Sequence, residues 1–204
     1  MRFICFGTNK QFRSLEFAQR LLWSEGRAIL KVGIIGGGRV GSRLAASLRE
    51  AGVLAGITAA SEQHSAQLAQ QFGVPTTDNA KLWQTADVLL LTVPDRLIGT
   101  VAEGLAQSVK PAAKVVLHVS GSVGLEPLAS LAQLGAHVGS LHPLQSFAGG
   151  NTQLAGVYMA LDGDSEAQDA GKKLVELLAV KRSAFLLKNV RPTMRQRASA
   201  LTTL

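Results

Sequence analysis

Cysteine is almost missing from the chain: Cys5 alone in 204 residues. An internal disulfide framework and a multi-cysteine metal site are therefore excluded, no metal is expected, and a reducing cytoplasm is the default compartment. Aromatic residues are scarce as well, at 5%, which leaves few stacking platforms for a nucleic acid. No apolar run approaches the roughly 18–20 residues of a membrane span, so no membrane role is expected. The opening segment MRFICFGTNKQFR lacks the continuous apolar centre of a secretory signal. What remains is 47% hydrophobic and 17% charged, with 21 glycines against 6 prolines. That composition excludes disorder, collagen and low complexity, and the length suits one domain, or one domain and a fragment of a second.

The net charge of +7 would suggest a nucleic-acid partner if it were spread over a folded surface. Residues 31–180, however, carry ten Lys/Arg against twelve Asp/Glu, and residues 181–204 carry six Lys/Arg and no acid. The basic excess lies in the two ends and the middle offers no basic face, so no nucleic-acid partner is expected.

From residue 31 short β-branched runs alternate with stretches of helical spacing. Strands are expected over 31–36, 53–59, 86–94, 114–121, 137–144 and 156–164, and helices over 40–52, 62–73, 95–109, 125–135 and 165–180, the last capped by Ser165. The nearly unbroken apolar ADVLLLTVP marks a strand buried on both faces. Such alternation predicts an α/β fold, a doubly wound, mostly parallel sheet with ligands at the carboxyl ends of its strands.

Directly after the first strand stands GGGRVG, a Gly-x-Gly-x-x-Gly opening into a helix, with Gly36, Gly38 and Gly41 in the three slots. The first glycine permits the tight turn, the second lets the backbone approach a pyrophosphate, and the third lets helix and strand pack closely. The anion then rests on the helix N-terminus. Gly37, Arg39 and Val40 complete the candidate cofactor loop. An NAD site places a carboxylate at the end of the second strand, on the ribose 2′-OH. Here that end reads TAASEQHS, with Ser61 at the place in question and Glu62 already in the next helix. The missing carboxylate favours NADP, although no arginine follows to hold a 2′-phosphate, and NAD stays open.

Two further segments fall at strand ends on the ligand side, HVSGS (118–122) and LHPLQSF (141–147). A hydroxyl at Ser120 or Ser122 and an imidazole at His142 or His118 would orient or protonate a small-molecule carbonyl. The structural alternatives are a Ser-Gly chain turn and hydrogen-bonded core histidines. His64 and His137 read as surface and strand-start residues, and Asp95, after TVP, as the N-cap of the following helix.

GGGRVG, TVPD, HVSGS and LHPLQSF, in this order and spacing, resemble the Rossmann-like NAD(P)-dependent oxidoreductases related to pyrroline-5-carboxylate reductase, 6-phosphogluconate dehydrogenase and the deazaflavin-dependent NADP reductases. The HVSGS and HPLQSF pair is similar to a subfamily with an added C-terminal helical domain of unknown function. The resemblance covers residues 30–192. It implies that Gly36, Gly38 and Gly41 hold the cofactor, that Val93, Pro94 and Asp95 border its nicotinamide side, and that Ser120, Gly121 and His142 face a cleft between two domains. It also implies a homodimer built on the helical domain.

At both ends the chain departs from that pattern. Residues 1–29 read as an added segment, explained most simply by a misplaced start codon, followed by a dinucleotide-binding domain over 30–164 and the start of a C-terminal domain from 165. After Arg191-Pro192 the subfamily continues Tyr-His-Ala-Ala-Ala, whereas this chain reads TMRQRASALTTL. Read one base back, the codons of Thr193 and Met194 are compatible with Tyr-His, those of Arg195, Gln196 and Arg197 with three alanines, and those of Thr202 and Thr203 with Asn-Tyr. A frameshift near codon 192 is the expectation, with the helical domain missing or vestigial and turnover impaired. The rival expectations are a non-catalytic dinucleotide sensor and a gene fragment without function.

Overall fold

In a computed structural model, described for residues 30–144, 154, 157–178 and the backbone of 185–187, the chain forms a seven-stranded sheet in the order β2-β1-β3-β4-β5-β6-β7. The strands are β1 (Val32–Ile35), β2 (Leu54–Thr58), β3 (Val88–Leu91), β4 (Val115–His118), β5 (His137–Pro143), β6 (Met159–Gly163) and β7 (Phe185–Leu187). β1 to β5 run parallel, β6 runs antiparallel to β5, and β7 pairs parallel with β6. The helices are α1 (Arg39–Glu50), α2 (Glu62–Phe72), α3 (Asn79–Thr85), α4 (Ile98–Ser108), α5 (Ala129–Gln133) and α6 (Ser165–Leu178).

The period-2 alternation of side chains sends each strand's apolar residues into two separate cores, as expected of a sheet covered on both faces. Val32, Ile34, Val88, Leu90 and Leu117 pack with α1, α2 and α6, through Leu44, Leu48, Leu68 and Leu174. Ile35, Leu89, Leu91 and Val116 pack on the other face with α3, α4 and α5, through Trp83, Ile98, Leu105 and Leu131. The doubly wound architecture of the sequence reading is the observed one. Among the described residues no helix is long and apolar enough to cross a membrane.

Three details differ from that reading. α6 is capped by Asp164, whose Oδ1 accepts from the Ala167 N–H at 2.9 Å, while the Ser165 hydroxyl turns to Glu166. α6 also shares the core of β1 to β6 and β7 extends the sheet, so the layered unit continues past residue 164. α3 and β7 were not anticipated. Residues 1–29 and 193–204, on which the start-codon and frameshift expectations rest, lie outside the described residues.

The chain leaves β1 toward β2 on one side and then crosses to β3 on the other. The connections therefore part above the carboxyl ends of β1 and β3, and a crevice at such a switch point is where open α/β sheets take their ligands.

Candidate functional site

The glycine loop fills that crevice. Gly36 takes φ +122°, a conformation that strains any L side chain, and a Cβ there would lie 2.7 Å from the Thr92 carbonyl carbon. A Cβ at Gly41 would overlap the Gly36 carbonyl oxygen, so the third glycine lets α1 sit directly on the turn. At Gly38 a Cβ would meet no atom within 4 Å. Protein packing thus explains the first and third glycines but not the second, whose open approach suits a ligand backbone.

Gly38 is also the N-cap of α1, with no side-chain cap and no acid in the first turn, and Arg39 and Val40 follow it. The first N–H groups of a helix lack intrahelical partners and carry the positive end of the dipole. With Arg39 exposed beside them, the donor set fits a pyrophosphate. Thr92, at the end of β3, holds the loop from below: its hydroxyl donates to the Gly36 carbonyl at 2.6 Å. Ser42 donates to the Gly37 carbonyl at 3.2 Å.

At the end of β2, Ser61 caps α2, its Oγ accepting from the His64 N–H at 3.2 Å. Ser65 ties the same turn down, accepting from the Ala59 N–H at 2.8 Å and donating to the Ser61 carbonyl at 2.9 Å. The exposed His64 imidazole stands over the loop, with Cε1 3.6 Å from a Cβ built on Gly37. This end of the crevice therefore offers a hydroxyl, an imidazole and the N-terminus of α2, with Glu62 as its carboxylate.

The other end is built from the loops after β3, β4 and β5. Val93 is half-buried and Pro94 exposed, and Pro94 rather than Asp95 precedes the 3₁₀ turn Asp95–Leu97 without a side-chain cap. Freed from the capping role expected of it, the Asp95 carboxylate crosses to the β4 loop and accepts from the Ser122 hydroxyl at 2.5 Å. That hydrogen bond, aided by the Ser120 hydroxyl and by the imidazoles of His118 and His142, holds the Asp95 carboxyl below the usual carboxylate value against a smaller burial effect.

Ser120 is 7% exposed and its Oγ accepts from the N–H groups of Ser122 and Val123, both at 3.2 Å, so it shapes the turn from inside. Ser122 is the exposed hydroxyl of the pair. His118 is fully buried: Nδ1 accepts from the Ser120 N–H at 3.2 Å, which leaves Nε2 as the donor to the Gly124 carbonyl at 3.0 Å. It is placed to position the loop rather than to touch a ligand. His142 is half-buried; Nδ1 donates to the Val119 carbonyl at 2.9 Å, and Nε2 lies against Gly121, where a Cβ would overlap the ring. The structure thus joins Asp95, Ser120, Ser122 and His142 in one cluster at the carboxyl edge.

Residues 24–143 match the family model of the Rossmann-like domain. The chain belongs to the Rossmann-like domain family. Its fold is similar to a Bacteroides fragilis protein described as an NADP oxidoreductase (18% identity, TM-score 0.67, 84% of this chain and 66% of that one). It is similar too to Synechocystis arogenate dehydrogenase (22%, 0.64, 85% and 64%). A third is a pyrroline-5-carboxylate reductase from Coxiella burnetii (22%, 0.61, 84% and 63%). At these identities the likeness is one of fold, and the chain spans just under two thirds of each. No curated protein matches the sequence.

Within the Rossmann-like domain, two residues near the site were not read as part of it from sequence. Thr92 lay inside an apolar run and looked like strand, yet it is the anchor of the glycine loop. His64 looked like an ordinary exposed helical residue. Its signal was its place, three residues after the Ser61 cap, where the first turn of α2 faces the loop.

Proposed function

We propose that this Rossmann-like chain binds a nicotinamide dinucleotide in the crevice between β1 and β3, with a preference for NADP, and serves an oxidoreductase acting on a small carbonyl or imine. The observation that carries the reading is Gly38, a helix N-cap left open to solvent between two glycines that packing explains. Gly36 to Gly41 hold the pyrophosphate. Ser61 and His64 meet the adenosine ribose and its 2′-phosphate at the end of β2, where an NAD site would place a carboxylate.

The nicotinamide half then extends toward Val93, Pro94 and Asp95. When bound, the cofactor supplies the hydride chemistry, and the protein supplies orientation and electrostatics. His142, its ring fixed by the bond from Nδ1–H to the Val119 carbonyl, exchanges a proton with the reacting carbonyl or imine through Nε2. Ser122 orients the same group, while His118 and Ser120 hold the loop. The arogenate dehydrogenase and the pyrroline-5-carboxylate reductase of similar fold support the reaction class.

The test is an NADPH fluorescence titration of the full chain beside Gly38→Leu. Saturable binding by the wild type, lost in a variant whose melting curve is unchanged, is the expected result. A wild type that melts cooperatively but binds neither NADPH nor NADH overturns the reading.

A further inference from the structure

Resting on the dinucleotide reading, we propose that the Asp95 carboxylate selects the oxidation state of the bound cofactor, holding the oxidised, cationic nicotinamide more tightly than the reduced, neutral one. The placement follows from the crevice. Its β2 end receives the adenosine half and the N-terminus of α1 the pyrophosphate, so the remaining half of the ligand runs to the ends of β3 and β4. Asp95 stands in the turn that directly follows β3, and its side chain is fixed against the β4 loop by Ser122.

What makes the carboxylate effective is the kind of partner it has. Ser122 is a neutral hydroxyl, so the hydrogen bond fixes Asp95 without cancelling its charge. Among the described residues no ion pair includes Asp95. The two imidazoles within electrostatic reach are both fastened to backbone groups of the surrounding loops. His118 lies between the Ser120 N–H at Nδ1 and the Gly124 carbonyl at Nε2, and Nδ1 of His142 is engaged by the Val119 carbonyl. Arg96, the next residue, is exposed. The carboxylate itself is ionised at pH 8, since the Ser122 hydroxyl stabilises the charged form.

The oxidised and reduced cofactors share phosphates, riboses and adenine and differ by one positive charge on the ring. Attraction to a fixed negative charge therefore falls on one form alone. Solvent at an exposed carboxylate weakens that attraction without reversing its sign.

The experiment measures Kd for NADP+ and for NADPH by titration calorimetry at pH 8, on the full chain and on Asp95→Asn, which keeps the size of the side chain and an oxygen that accepts from Ser122. NAD+ and NADH are run in parallel. The expected result is that the preference for the oxidised form drops by about three- to tenfold in the variant. Asp169→Asn removes an exposed carboxylate on α6, paired with Lys172, and should leave the preference unchanged. If Asp95→Asn binds both forms with the wild-type ratio, the selection is refuted while the dinucleotide reading stands. If Asp169→Asn shifts the ratio equally, the effect is one of overall charge and Asp95 is no selector. If the folded wild type binds no dinucleotide, the reading falls, and the inference with it.

Discussion

A side chain added at Gly38 would enter open space, whereas one added at Gly36 or Gly41 would enter backbone. The same chemical change is therefore expected to read out in different ways. Gly36→Ala forces a residue with a Cβ into φ +122° and against Thr92, and should destabilise the fold by about 2 kcal/mol, lowering the melting temperature by roughly 4–8 °C. Gly38→Leu should melt as the wild type does and fail only in the NADPH titration. Differential scanning fluorimetry beside the titration separates the two. At the other end of the crevice, His64→Gln is expected to lower the preference for NADP+ over NAD+ by about two- to fivefold while leaving NAD+ affinity in place, because in the proposed binding mode the imidazole meets only the 2′-phosphate. Equal losses for both nucleotides would mean that His64 acts on the loop, through its place beside Gly37, rather than on the phosphate. The tight turn at Gly36 and the close packing at Gly41 were legible in sequence because strand, turn and helix each leave a local signature. The anchoring by Thr92 was not, because it joins residues 56 positions apart.

Between elements, the hydrogen bond from Ser122 to Asp95 fastens the β4 loop to the turn after β3. The folded-state value of the Asp95 carboxyl lies below its ordinary one, with the Ser122 bond as the largest cause. Its contribution to stability is therefore present above the ordinary carboxylate range and is lost as pH falls through the lowered folded value. Urea unfolding at a series of pH values should show wild type more stable than Asp95→Asn near pH 7, with the difference fading below about pH 4. A gap that does not change with pH would mean that ionisation of Asp95 plays no part. The alternation of apolar runs gave the parallel strands β1 to β5 and the long helices α1, α2 and α4, since burial on two faces imposes a readable pattern. α3 is only seven residues long, too short for a periodic stripe, and its one signal was the Asp78 cap that accepts from the Lys81 N–H at 2.7 Å. The reversal of β6 was illegible for a different reason: strand direction is set by the connection, and period-2 spacing is the same in either sense. α6 carries a testable corollary, because Leu174 is fully buried in the core shared with β1 to β6. Leu174→Ala should cost about 2–5 kcal/mol and unfold the sheet as one unit. An early, separate transition would instead mark α6 as the start of an independent domain.

At the scale of the whole sheet, most of the buried polar and all of the large exposed apolar side chains among the described residues fall on one rim. Among the described residues, buried Ser65 lies in α2 and Ser140 within β5, while buried Thr58, Thr92, His118 and Ser120 lie at the carboxyl ends of β2, β3 and β4. So do the large exposed apolar side chains among the described residues: Leu97 follows β3, Leu144 follows β5, and Tyr158 directly precedes β6, whose reversed direction starts it at this same edge. Leu144 and Tyr158 are adjacent, the N–H of one donating to the carbonyl of the other at 2.7 Å, and they are 43% and 57% exposed. Burial on two faces accounts for the rest of the sheet, but not for apolar surface gathered where the crevice opens. Since neither side chain supports the core, Leu144→Ser with Tyr158→Ser should change stability by no more than about 0.5 kcal/mol per site. The glycine loop sits at the other side of the rim, after β1, so NADPH affinity should be unchanged as well. What should fall is the binding of a hydrophobic dye such as ANS, and with it the tendency to self-associate at high concentration. Dye fluorescence that stays at the wild-type level would show that these residues do not form the molecule's sticky surface. Loss of NADPH affinity would place the ligand farther along the rim than the loop after β3.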